Sequence, residues 1–170
     1  MQTTTITSQD YRRIFGSLPT TVAVVTTRDE AGGPTGTTTN TVTALSLDPP
    51  MLLVCLDLGS ATLAAVRRHG FFAVNFLAET GAEISRRLAQ RAADKFSGVR
   101  SASVEGIAGS PVFAEDVVAH AECTLHEEIV VGDHAILIGL ISGGSAHERA
   151  PLMYHRGVYS PWRPGAPALP

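Results

Sequence analysis

The chain has 170 residues, 44% hydrophobic and 17% charged, with a net charge of -3, proportions that suit one compact domain able to bury its own core. No lysine/arginine block stands out, which argues against nucleic acid as the main partner. The longest apolar run, Met51 to Leu56, is far short of the roughly 20 residues that span a bilayer, and Met1 to Ile6 has neither the basic start nor the apolar stretch of a signal peptide. Cys55 and Cys123 both sit in apolar, strand-like runs, where buried reduced thiols are common, so a cytoplasmic protein is expected.

Residues Ser8 to Ser17 predict a short helix, with Tyr11, Ile14 and Phe15 at helical spacing, Ser8 as its N-cap and Leu18-Pro19 as its stop. Thr21 to Thr27 is β-branched and apolar, a buried strand. The turn-rich Asp29 to Pro34 joins it as a hairpin to the next segment. That segment, Gly36 to Pro50, has four threonines among its first six residues. Taken as one strand, it puts Thr37, Thr39, Thr41, Thr43, Leu45 and Leu47 on one face and Thr38, Asn40, Val42, Ala44 and Ser46 on the other. Hydroxyls then run deep into a strand that should be buried, and buried hydroxyls need partners. A polar planar ligand lying along the strand supplies them. The alternative is a half-exposed strand whose threonines face water.

Met51 to Leu56 predicts a fully buried third strand, and Leu63 to His69 a helix with Leu63 and Val66 inward and Gly70 as its stop. Phe71 to Leu77 is another strand. Glu79 to Arg91 is a second helix, with Ile84 and Leu88 one turn apart and Arg86, Arg87 and Arg91 toward solvent; Ser97 to Gly109 reads as a loop. Val117 to His126 alternates as a strand, and the Gly132-Asp133 turn leads into a strand from Ala135 to Ile141 that Gly143-Gly144-Ser145 breaks. Leu152 to His155 and Val158-Tyr159 offer a last strand pair. A single domain over residues 1–160 is expected, followed by a flexible proline-rich tail over 161–170. Six or more strands joined mostly by hairpin-like turns, with two or three short helices, make a mainly antiparallel β domain. A closed or split barrel manages its strand edges best.

Three spots suit a ligand. Ser60-Ala61-Thr62 opens a helix, where free N–H groups, the helix dipole and two hydroxyls suit a phosphate; simple capping accounts for the same residues. Lys95, the only lysine of the chain, lies between Asp94 and Phe96, and a lone cation beside an aromatic suits a phosphate or a ring edge, or simply faces solvent. His134 stands where the Gly132-Asp133 turn enters an oily strand and suits a cofactor's carboxamide or phosphate, or a structural role. The chain has no Gly-x-Gly-x-x-Gly, P-loop, Cys-x-x-Cys, His-Glu-x-x-His or Gly-x-Ser-x-Gly motif. His120 and His126 stand roughly 20 Å apart along one strand face. A Rossmann site and metal catalysis are therefore disfavoured.

Thr21 to Thr27 followed by Gly36 to Pro50 resembles the G-V-x-V-V-T-T … G-M-T-A-N-x-F-x-S-V-S-L-D-P-P signature of the short-chain flavin reductases, the reductase components of two-component flavin monooxygenases. Ser60-x-Thr62, Gly70 to Asn75, Asp94-Lys95-Phe96, Gly132-Asp133-His134 and Tyr154-x-x-Gly157-x-Tyr159 follow in the family's order, so the match covers about residues 10 to 160. The resemblance implies an antiparallel Greek-key split β-barrel, a homodimer, and hydride transfer from NADH or NADPH to FMN or FAD that supplies reduced flavin to a separate monooxygenase. It implies that Thr38, Thr39, Asn40 and Thr41, on a flavin-facing strand that runs to Ser46, hold the isoalloxazine ring largely through backbone groups. Ser60 and Thr62 would take the phosphate, with Lys95 and Phe96 nearby, and His134 would place the nicotinamide over the flavin as the catalytic residue. Thr39 stands where the family commonly has Ala, Val42 where an aromatic is common and Thr37 where Met is frequent, departures that bear on ring contacts and flavin preference. Two alternatives stay open: a flavoprotein of this fold that retains its flavin and acts on another substrate, and a flavin-binding module without turnover.

Overall fold

Helix α1 (Ser8–Gly16) starts one residue earlier than expected in its cap: Thr7, not Ser8, accepts the Asp10 N–H on its hydroxyl at 3.1 Å. The computed structural model describes residues 5–92, 95–99, 104–105, 109–163 and 165; Asp94 and most of the expected tail lie outside them. Strands β1 (Thr20–Thr21) and β2 (Ala23–Arg28) follow, and β2 forms the expected hairpin with β3 (Pro34–Thr39). The strand expected to run on from Gly36 stops at Thr39, and β4 (Val42–Leu47) begins after a two-residue corner. At that corner the Thr41 N–H donates to Thr39 Oγ1 at 3.2 Å and the Thr41 hydroxyl donates to the Cys55 carbonyl at 3.0 Å. Such side-chain bonds offer the backbone an alternative to the ladder, so the face assignment does not carry across Thr41.

The remaining elements are β5 (Pro50–Asp57), α2 (Ala61–His69), β6 (Phe71–Leu77), a 3-10 turn (Glu79–Gly81), α3 (Ala82–Leu88), β7 (Val104–Glu105), β8 (Pro111–Val112), β9 (Val117–Val131), β10 (His134–Ala146), β11 (Leu152–His155) and β12 (Val158–Pro161). Several depart from expectation. In β5 only Leu52, Val54 and Leu56 are buried, while Met51, Leu53 and Cys55 are half-buried, so the run has one core face and not two. The second helix is the 3-10 turn plus α3 and ends at Leu88, short of Arg91. Arg87, expected in solvent, donates to the Ser97 carbonyl. Strand β9 runs five residues past His126, to Val131. Nor do Gly143 and Gly144 break β10. The ladder to β9 shifts register after Ile141 and continues, because Gly144, at φ +151°, lets the His120 carbonyl approach to where a Cβ would lie only 2.3 Å away.

Seven strands form one antiparallel sheet in the order β3-β2-β6-β9-β10-β5-β4. Its two edge strands are consecutive in the chain and joined by Asn40 and Thr41 alone, so the sheet must curl until its edges approach at that corner. The packing agrees: Val25 of β2 and Val54 of β5, near opposite ends of the strand order, belong to one buried cluster. Helix α2 drives Leu63 and Val66, both 0% exposed, into that cluster, each burial being worth roughly 1.5–3 kcal/mol. Gly70 ends α2 with φ +72°, as expected. On the sheet's other face Val22, Val24, Leu77 and Phe113 pack with Ile84 and Leu88 of α3 and Leu152 of β11 in a second cluster. Strand β2 is thus covered on both sides, which explains why it is buried without alternation from Ala23 to Thr27, the Thr26 and Thr27 hydroxyls donating to the Pro111 and Phe71 carbonyls. A small sheet of order β1-β11-β12 lies beside this second core, tied to it by the Val22 N–H bond to the Leu152 carbonyl at 3.2 Å.

Candidate functional site

Strand β3 pairs with β2 on one side only, so its other backbone edge presents N–H and C=O groups with no ladder partner among the described residues. Beside it lies a cavity of about 230 Å³ lined by Val22, Thr38, Thr39, Asn40, Ala89, Tyr154 and Tyr159. A second cavity, of about 440 Å³, is bounded by Thr37, Asp57, Ser60, Arg91 and again Ala89. The two meet at Ala89 and take consecutive residues of β3, so together they form a trough along the strand edge.

The hydroxyls of this edge are already engaged by protein. Thr38 donates to the Ser85 carbonyl at 2.8 Å. Thr41 donates to Cys55, so in the 2.8 Å contact between the two hydroxyls Thr39 is the donor, and Thr39 also accepts the Thr41 N–H. The expectation that these hydroxyls need a ligand is therefore corrected. What they offer a ligand is lone pairs, and donors toward it must come from the free backbone edge. The Asn40 side chain donates to Thr20 Oγ1 at 3.2 Å.

The second cavity is suited to an anion. Ser60 caps α2, its hydroxyl accepting from the Leu63 N–H at 3.4 Å, while its own N–H goes to the Asp57 carbonyl. The N–H groups of Ala61 and Thr62 remain without a partner among the described residues, at the positive end of the helix. Arg91 adds a cation to the lining, and Asp57, whose carboxylate accepts the Gly59 N–H at 2.7 Å, is the acidic residue in it. Thr62, expected at the phosphate through its side chain, is 1% exposed and lies on the buried side of α2 with Leu63 and Val66.

His134 opens β10 directly opposite Asp57, the residue that lines the second cavity, and Leu58 N–H donates to the Asp133 carbonyl at 3.0 Å. The imidazole Nδ1 is 2.7 Å from Asp133 Oδ1, and the hydrogen bond holds the Asp133 carboxyl below its ordinary pKa, with His134's charge adding to it. Lys95 is half-buried, and that burial lowers its pKa. Phe96 packs against Phe113 at 6.4 Å between centroids and closes on Gly36, where a Cβ would come within 3.1 Å of the ring and 2.7 Å of the Val25 carbonyl. Its contacts are those of a core residue at the back of β3. Thr41, Ser46, Thr62, Lys95, Phe96 and His134 line neither cavity. Ala89, Arg91, Tyr154 and Tyr159 do, and sequence reasoning gave none of them a role, although both tyrosines stand in a motif it quoted.

The fold and site thus define a curled antiparallel β protein with two adjoining cavities along one free strand edge, the second of them at a helix N-terminus. Residues 15–163 match the flavin reductase like domain, and the chain belongs to that family. It is 39% identical to the flavin reductase (NADPH) of Lentzea aerocolonigenes over 94% of this chain and 92% of that one. It is 43% identical to the flavin reductase (NADH) of Kitasatospora aureofaciens over 88% of this chain and 78% of that one. HsaB of Rhodococcus jostii, the reductase subunit of a flavin-dependent monooxygenase, is 36% identical over 90% of this chain and 82% of that one. The structure of the Streptomyces globisporus NADH:FAD oxidoreductase SgcE6 with NAD and FAD fragments superposes with a TM-score of 0.82 at 30% identity, covering 97% of this chain and 98% of that one.

Proposed function

We propose that this chain is an NAD(P)H:flavin oxidoreductase that reduces FMN or FAD and passes the reduced flavin to a separate flavin-dependent monooxygenase. The observation that carries this reading is the pair of cavities meeting at Ala89 along the free edge of β3. A flavin supplies a hydride-accepting ring; the protein's task is to hold two rings in register, which needs little acid–base help. Backbone groups from Thr38 to Thr41 hold the ring, with the Thr38 and Thr39 lone pairs facing donors on its edge. The phosphate sits in the second cavity against Ser60, the α2 N–H groups of Ala61 and Thr62, and Arg91. Lys95 and Ser46 lend support from outside the two cavities, as does Phe96 from behind β3. His134, steered by Asp133 beside the Asp57 end of that cavity, orients the nicotinamide.

The curled sheet of one chain is a Greek-key split barrel, and two such chains assemble as a homodimer. Two exposed apolar surfaces support that assembly: α1 buries none of its residues, leaving Tyr11, Ile14 and Phe15 more than half exposed, and Leu47 on edge strand β4 is 92% exposed. Both cysteines are free, which supports a reducing, cytoplasmic setting, and no described helix is long and apolar enough to cross a membrane. The domain takes in the first residues of the expected tail: Pro161 pairs with Leu152 in β12, the Trp162 N–H donates to the Pro151 carbonyl at 3.0 Å and Arg163 to Glu79 at 2.8 Å.

The test is NADH and NADPH oxidation by the purified protein with and without added FMN or FAD. Turnover that rises and saturates with free flavin is expected. Tight flavin retention without turnover would make the chain a binding module.

A further inference from the structure

Tyr154 and Tyr159 face each other across the β11–β12 hairpin as register partners, with ring centroids 5.2 Å apart and planes tilted by 53°. Both line the cavity above Thr38, Thr39 and Asn40. Tyr159 is held from three directions. Its hydroxyl is 2.8 Å from Ser85 Oγ, the Arg86 guanidinium lies 5.2 Å from its ring centroid, and Tyr154 tilts against it. Ser85 is 0% exposed, and its carbonyl is the one that accepts from Thr38. One buried residue therefore fixes both the floor of the cavity and its aromatic wall. Tyr154 is different: it is 36% exposed, a large aromatic left open on the side of the cavity.

A free strand edge reads the rim of a planar heteroaromatic ring but gives nothing to its face. Face contact needs a second aromatic, and base-on-aromatic stacking is worth roughly 1–3 kcal/mol by alanine substitution. Resting on the flavin reading above, we infer that Tyr154 is the surface on which the isoalloxazine ring stacks, and that Tyr159 is the positioning residue that sets its tilt through Ser85 and Arg86. The wall is then a specificity element for the flavin and not for the nicotinamide.

The inference has an optical signature, because a phenol in contact with an excited isoalloxazine quenches it by donating an electron, whereas a benzyl ring donates poorly. Emission and affinity of bound FMN and FAD are measured for the wild type, Tyr154→Phe, Tyr154→Leu and Tyr159→Phe. The wild type should bind and quench flavin. Tyr154→Phe keeps the ring and the packing, so it should bind nearly as tightly while the bound flavin becomes brighter. Tyr154→Leu should lose roughly tenfold in flavin affinity. Tyr159→Phe frees the ring from Ser85 and should brighten the bound flavin with a smaller loss of affinity. Equal dimness in Tyr154→Phe together with unchanged affinity in Tyr154→Leu would overturn the inference while leaving flavin binding intact. A defect confined to the KM for NADH would overturn it in favour of nicotinamide contact. A wild type that binds neither flavin would remove the flavin reading itself, and the stacking surface with it.

Discussion

The Thr38 hydroxyl donates to the Ser85 carbonyl, tying the sheet edge to α3 beside Ala89, where the two cavities meet. Thr38→Val keeps the shape and removes the donor, leaving a buried residue's carbonyl without that bond. A loss of about 1 kcal/mol is expected, with Thr38→Ser close to wild type. Urea titrations check it, and a Val variant as stable as the wild type would show that the bond adds nothing.

Gly144→Ala tests the continuous course of β10. The new Cβ would stand 2.3 Å from the His120 carbonyl oxygen, at φ +151°, and both the contact and the backbone conformation oppose it. A cost of at least about 2 kcal/mol is expected, read as a lower midpoint at unchanged slope in denaturant. Little change would mean that the β9–β10 ladder yields at this point, as the Gly-Gly-Ser sequence first suggests.

Elements made by neighbouring residues were legible in the sequence. Phe71–Leu77 is found as expected, as is the α2 core pair Leu63 and Val66 with its Gly70 stop, because periodicity and cap chemistry are local. The features that make the site are not local. The β3–β4 corner depends on Thr41 bonding to Cys55, 14 residues on, and nothing in a run of threonines marks where that occurs. Tyr159 acquires its place from Ser85, 74 residues earlier. Ala89 joins the two cavities only because a short helix ends beside β3, and a small apolar residue carries no chemical flag. Thr62 shows the reverse error: its type suits a phosphate, but the helix turns it inward.

Cys123 should be chemically silent in the folded chain. Burial, and secondarily the nearby Glu122 carboxylate, push its pKa up to about 12, so at pH 8 only roughly one molecule in ten thousand carries the reactive thiolate. Iodoacetamide at that pH should leave Cys123 unmodified until denaturant is added. Rapid native labelling, located by peptide mapping, would mean that the β6–β9–β10 core opens readily.

Lys95 should trade stability for binding. Its pKa is lowered by burial, so the fold disfavours its charged form. That cost is fully present below the lowered folded value, declines as pH rises through it, and is gone above the unfolded value of about 10.4. Lys95→Met should therefore raise the Tm of the free protein at pH 7, with the gain fading once pH passes the lowered folded value and gone above about pH 10.4. The same variant should bind FMN more weakly. A higher Tm with unchanged FMN affinity would strip Lys95 of its proposed ligand role and leave only the burial cost.

Asp133 and His134 separate a structural pair from a functional one. Their side chains are 91% and 46% exposed, so the contact is weak support for the fold at neutral pH. Asp133's folded pKa is depressed, with the His134 hydrogen bond as the leading cause, so its contribution is present above the unfolded value of about 3.9 and is lost as pH falls through the lower folded value. Asp133→Asn should therefore melt slightly below the wild type at neutral pH, and the difference should vanish in acid once pH falls below the carboxyl's lowered folded value. His134→Ala should likewise lose only a little stability at pH 7, yet raise the KM for NADH several-fold more than it weakens flavin binding. Equal losses of both ligands would mean that His134 shapes the Asp57 end of the anion cavity and does not orient the nicotinamide. Loss of neither would place hydride transfer away from this turn.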